Sequence, residues 1–139
     1  MKKLLLLLFL TPLFAFISIN NDVEKKIVGK WKGEDKGEVG YFIFDEKGYA
    51  YMQMNGQVVG GESFIFNGKK GKMTYKVNST ASPIELDLIV NVIDENAEHK
   101  LKFIIEFIDD DSIKLASDFG ETRPKVFTAD NSLIFKREK

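Results

Sequence analysis

From residue 29 onward, apolar and polar side chains alternate in short runs separated by turn signals, the period-two pattern of antiparallel strands. Leu86, Leu88, Val90 and Val92 share one side of a long run, with Glu85, Asp87 and Asn91 opposite. Leu101, Phe103, Ile105 and Phe107 do the same against Lys100, Lys102 and Glu106. Phe42 with Phe44, Ile113 with Leu115, and Leu133 with Phe135 continue the inner set, whereas Ile43, Ile89, Ile93, Ile104 and Ile134 fall on outer positions that must be covered or exposed. The pattern predicts strands near 29–35, 38–45, 48–54, 61–67, 72–78, 84–94, 99–108, 112–118, and 125–128 with 132–137. Asn21 or Asp22 offers an N-cap for one or two helical turns over Val23–Val28.

The turns between these runs are explicit. Asn55-Gly56 and Asn67-Gly68 suit type I′ hairpins, because Asn and Gly tolerate positive φ. Asp45 to Gly48 and Asp109 to Asp111 close two more. Ten of the eleven glycines lie between 29 and 71, which places sharper bends and bulges in the first half. Eight to nine consecutive antiparallel strands joined by short hairpins predict an up-and-down β-barrel, since closure removes exposed edges. A barrel of that size is either filled by its own side chains or holds one small ligand.

Residues 1–20 stand apart from this pattern. Lys2 and Lys3 precede a mostly apolar stretch of 16 residues, Leu4 to Ile19, interrupted by Pro12. That is short of the roughly 20 residues a spanning helix needs, and it reads as a secretory signal peptide, with an uncleaved anchor as the other reading. Ala15, Ser18 or Asn20 could each precede the cut, and no Cys follows to accept a lipid. Residues 21–139 then form one exported domain, periplasmic or extracellular, with no membrane insertion of its own. Removing two Lys leaves 18 basic against 21 acidic residues, a net of −3.

Composition closes off several chemistries. The absence of Cys removes thiol nucleophiles, zinc ribbons, iron–sulfur clusters and disulfides. One His, His99 within the charged stretch Asp94 to His99, reads as a solvated turn residue with no Ser or carboxylate to make it a base. Asp109 to Asp111 lacks the Gly and terminal Glu of a calcium loop and reads as a charged hairpin tip. The Gly-rich stretches at 56–61 and 68–72 open no helix and so fit no phosphate loop, and no basic cluster speaks for nucleic acid. Lys69, Lys70 and Lys72 form only a solvated basic tip, and Glu85, Asp87 and Glu106 face outward, where a glycosidase pair has no cleft. No catalytic set, metal or cofactor is expected. Asp87 and Arg123 admit two readings: an ion pair fixing the loop 118–122, or a guanidinium fork presented to a ligand carboxylate or phosphate.

The lead-in Ile27-Val28-Gly29-Lys30-Trp31 places Gly-x-Trp on the first strand, with Arg137 on the last. This resembles the opening of lipocalins and the wider calycin barrels. The resemblance implies that Trp31 closes one end and that Arg137 packs across its ring, an attraction worth about 0.5–2 kcal/mol. Tyr75-Lys76-Val77, Ser82-Pro83 with Glu85 to Leu88, Asp110 to Leu115, Arg123-Pro124 and Leu133 to Arg137 follow in the order of a small bacterial secreted lipocalin-like domain. Its departure is the long 94–99 turn. That family has no established activity, so the resemblance implies a fold and no reaction. The expected function is non-enzymatic binding of a small hydrophobic or amphipathic ligand, with Phe42, Phe44, Leu88, Val90, Phe103, Phe107 and Arg123 as candidate contacts. The alternative is a structural or interaction domain whose barrel is filled by the same side chains, and hydrolysis or isomerisation comes third.

Overall fold

A computed structural model describes residues 19–118 and 120–139. The leader expected over residues 1–20 lies outside them apart from its last two positions. The described chain begins in helix α1 (Ile19–Ile27) and continues as β1 (Gly29–Asp35), β2 (Glu38–Phe44), β3 (Ala50–Met54), β4 (Gln57–Phe66) and β5 (Lys69–Asn78). Then come β6 (Ile84–Val92), a 3₁₀ turn at Ile93–Glu95, β7 (Ala97–Asp109), β8 (Ser112–Ser117) and β9 (Ser132–Arg137). Each strand pairs antiparallel with the next, and β9 returns to β1 to close the barrel. The protein is all-β, as the alternation predicts.

The closure poses a problem of parity. In a ring of nine alternating strands the first and last would run parallel, yet Trp31 faces Arg137 and Gly33 faces Phe135 in antiparallel register. The missing reversal lies inside β4. Its first arm, 57–60, pairs with β3, its second, 61–66, pairs with β5, and the register breaks between them. Counted by direction, the barrel therefore has ten antiparallel segments. The bend sits at Gly60 (φ 128°) and Gly61 (φ 81°), backbone that side-chain-bearing residues rarely adopt. A Cβ on Gly60 would collide with the Ala50 carbonyl oxygen, and one on Gly61 with the Tyr51 ring. Just past the bend the residues leading into β3 reach β5 directly, through the Tyr49–Thr74 bridge and the Tyr75 N–H donated to Gly48 O at 3.0 Å.

This reversal sorts the connections between two ends. The tips at 36–37, 55–56 and 67–68, the 3₁₀ turn and the long connection 118–131 lie at one end. Helix α1 and the turns at 45–49, 79–83 and 110–111 lie at the other, which is sealed. Ile27 and Trp31 are fully buried there, above Phe44, Leu86, Leu88, Ile105 and Ile113. Burial of such side chains contributes about 1.5–3 kcal/mol each. The Asp45 carboxylate fixes the β2–β3 turn by accepting the N–H groups of Lys47 and Tyr49 at 2.9 Å. Tyr75 donates its hydroxyl to the Asp45 carbonyl at 2.7 Å. Burial, then the charges of Asp45 and Glu24, pushes that phenol above its ordinary value of 10.

One expected strand is absent. Residues 125–128 are irregular, because Asn131 holds them in a turn: its amide donates to Val126 O at 2.9 Å and its carbonyl accepts the Thr128 N–H at 2.7 Å. The connection instead straps the outside of the wall. Ile104 and Ala116, paired partners whose neighbours point inward, are buried on the outer face, and Pro124 is buried with them. This accounts for one of the apolar outer positions. Ile93 and Ile134 remain half-exposed. His99 also departs from expectation: it lies within β7, opposite Val90, and not in a turn, because Asn96 (φ 49°) completes the reversal three residues earlier. It stays exposed, with Nδ1 3.9 Å from Glu121.

Candidate functional site

The strap leaves the end of the barrel beside it open, and inside that mouth is a cavity of about 890 Å³. Its floor is aromatic. Phe42 packs against Phe135 at 5.2 Å and against Phe103 at 6.0 Å between ring centroids. Met52, Val59, Leu101 and Leu133 form the walls, and Asp35, Lys36, Glu38, Gln57 and Asp130 ring the entrance. Gln57 and Phe66, the two extremes of β4, both border it, as the reversal at Gly60 and Gly61 requires.

The free volume has a local cause in two glycines. Gly33 and Gly40 are paired opposite each other on β1 and β2, at positions that alternation turns inward between Trp31 and Phe42. Phe135 lays its ring across Gly33, where a Cβ would overlap it. A Cβ added at Gly40 would have its nearest neighbours 3.7 Å away, so the missing side chain leaves space there. A sequence reading that assigns these glycines to bends misses this role. The available signal is their phase, because each occupies an inner slot of an otherwise apolar column.

The sequence candidates divide by depth. Phe42 and Phe103 line the cavity. Phe44 is fully buried beneath its floor, and Leu88, paired with the wall residue Leu101, is fully buried without bordering the cavity. Val90 and Phe107 pack partly buried against the core and do not border the cavity, and Phe107 instead meets the Trp31 edge at 6.5 Å. Arg123 is outside the barrel, not in its lumen. It donates to Phe103 O at 2.9 Å and to Asp87 Oδ1 at 2.6 Å, and lies 3.3 Å from Glu85. Those contacts occupy the guanidinium and pin the strap, so it presents no fork to the cavity.

Gly29, Trp31 and Arg137 meet at the sealed end. The Arg137 guanidinium carbon sits 4.3 Å from the Trp31 ring centroid. Its nitrogens donate to Val28 O and Lys26 O at 2.7 Å each, and to Asp110 O at 3.1 Å. A Cβ on Gly29 would stand 2.6 Å from Nη1, so the glycine makes room for the cation. The indole N–H caps Ile27 O at 2.8 Å, which satisfies a carbonyl at the C-terminus of α1. The Asp109–Asp111 tip serves the same latch, since Asp110 pairs with Lys26 and Asp111 with Arg137 and Lys139. Among the described residues no group of three or more His, Cys, Asp or Glu could hold a metal, and no helix is long and apolar enough to cross a membrane.

The described residues thus define a class: a small antiparallel β-barrel, sealed at one end and holding an apolar, aromatic-floored cavity at the other. No family model matches the chain, and neither does any curated protein or solved structure.

Proposed function

We propose that the chain is an exported, lipocalin-like binding protein that takes one small hydrophobic or amphipathic molecule into the mouth of its barrel. The cavity carries this reading: about 890 Å³ falls within the range of small-molecule sites, and its walls are apolar with polar groups confined to the rim. The helix lead-in, Gly29, Trp31 and the cation of Arg137 support the lipocalin-like assignment, and the sequence of residues 1–20 supports export. Because Phe44 and Leu86 fill the barrel below, the ligand is short or folds back within the upper half. The function proposed is binding without turnover.

The test is saturable uptake of a neutral apolar fluorophore, N-phenyl-1-naphthylamine, together with native mass spectrometry of protein taken directly from its producing cells. Gly40→Phe places a ring in the free space and should weaken uptake about tenfold, the loss expected from displacing a few buried methylene equivalents. Its thermal midpoint should stay near that of the parent. Absence of saturable uptake by the parent, or equal uptake by the folded variant, overturns the reading.

A further inference from the structure

We propose that the ligand is an amphipathic cation, a short hydrocarbon or ring body ending in an ammonium, and not a fatty acid. This rests on the cavity reading above and adds the sign of the head group. Alternation turns Trp31, Gly33 and Asp35 inward on β1, and Glu38, Gly40 and Phe42 inward on β2. The apolar columns that make the cavity wall thus end, at the entrance, in two carboxylates paired opposite each other. Asp130 borders the same side, two residues before β9, which is the other neighbour of β1. Among the described residues only one cation, Lys36, borders the cavity. No ion pair is found for any of these four groups among the described residues, whereas Lys26, Lys69, Arg123 and Arg137 all have carboxylate partners.

A ligand seated on the Phe42, Phe103 and Phe135 floor leaves its head group at this entrance, under a net charge of −2 from its rim. At about 6 Å in water-like dielectric, with screening at about 0.15 M salt, that charge favours a monocation over a monoanion of the same body by about tenfold. The apolar cavity supplies affinity and the carboxylates supply the discrimination.

The experiment displaces N-phenyl-1-naphthylamine with decyltrimethylammonium, decanol and decanoate, all below their aggregation concentrations. The expected order is cation, then alcohol, then anion, with cation over anion by about tenfold and the ratio collapsing in about 1 M salt. The triple variant Asp35→Asn, Glu38→Gln, Asp130→Asn alters exposed side chains only. It should lose the charge preference while keeping the affinity for decanol. Decanol binding with no preference, with a preference for decanoate, or with a cation preference that survives the triple variant overturns the head-group inference alone. Failure of all three probes to displace a fluorophore that does bind also overturns this inference alone, whereas absence of saturable fluorophore uptake overturns the binding reading and this inference with it.

Discussion

Replacing Arg137 with Ala should unfasten the sealed end without emptying the cavity at the other. The guanidinium makes three kinds of contact. Stacking on Trp31 contributes about 0.5–2 kcal/mol. Three backbone carbonyls accept its N–H groups. They lie near the surface and regain water in the variant, so each costs about 0.5 kcal/mol, at the low end of the usual range. The ion pair to Asp111 is half-exposed and adds little. The sum is about 2–3.5 kcal/mol. With a urea slope of about 1–3 kcal/mol/M, the midpoint should fall by about 0.7–3.5 M. The assay has an internal reporter, because Trp31 is the only tryptophan and is fully buried. Its fluorescence should become accessible to acrylamide in the folded variant. Arg137→Lys keeps the charge but cannot stack and fork at once, and should recover less than half of the loss. A midpoint shift below about 0.3 M, or full rescue by Lys, would refute the assignment of a shared stacking and capping role.

Gly60→Ala should cost at least about 3 kcal/mol in a thermal or urea melt, because its φ of 128° and the Ala50 carbonyl leave no place for a methyl group. Gly56→Ala, at φ 77° with open space around it, should cost only about 1 kcal/mol, and equal costs would sink the claim that the β4 bend is special. Arg123→Met should free the strap before the barrel: trypsin should cut after Lys125 several-fold faster while the melting temperature moves by only a few degrees. Tyr75 is held protonated by the fold, so above pH 10 the unfolded chain sheds that proton more readily, and stability falls as pH rises toward the folded value. Tyr75→Phe should lose about 1 kcal/mol at neutral pH, for the bond to Asp45 O, yet show a shallower alkaline decline. A steeper decline in the variant would reverse the sign of the argument.

How much of this was legible in the sequence depends on the range of the physics. Alternation reports faces, and it marked the inner columns from Phe42–Phe44 to Leu133–Phe135, because one buried face imposes a period of two whatever the neighbours. Turn chemistry reports reversals, and Asn55-Gly56 and Asn67-Gly68 lie at hairpin tips with positive φ. Depth was not legible. Phe42 and Phe44 are two residues apart on one face, yet one floors a cavity and the other is sealed beneath it, since depth depends on where the other segments place their ends. Arg123 was legible in part: its ion pair with Asp87 was one of two readings and is present, whereas its role as a ligand contact fails, because only the path of the strap decides which face it reaches.

The bend in β4 shows how a topological constraint can convert such local signals into a site. Every neighbouring pair in the ring is antiparallel, so the number of reversals must be even, and nine strands require one more. Only a residue pair able to take positive φ at close approach can supply it inside a strand, and Gly60-Gly61 is such a pair. Once the chain turns there, the tips at 55–56 and 67–68 fall at the same end. The second arm of β4 is then carried back to the mouth, and Phe66 joins Met54 and Gln57 around one entrance. Straighten β4 and Phe66 moves to the sealed end, the ring cannot close on β1, and the inward columns of β1 and β2 no longer end at a shared rim. The cavity, its aromatic floor and the carboxylates at its lip therefore depend on two glycines that touch none of them, and Gly60→Ala should reduce fluorophore uptake in whatever fraction of the protein still folds.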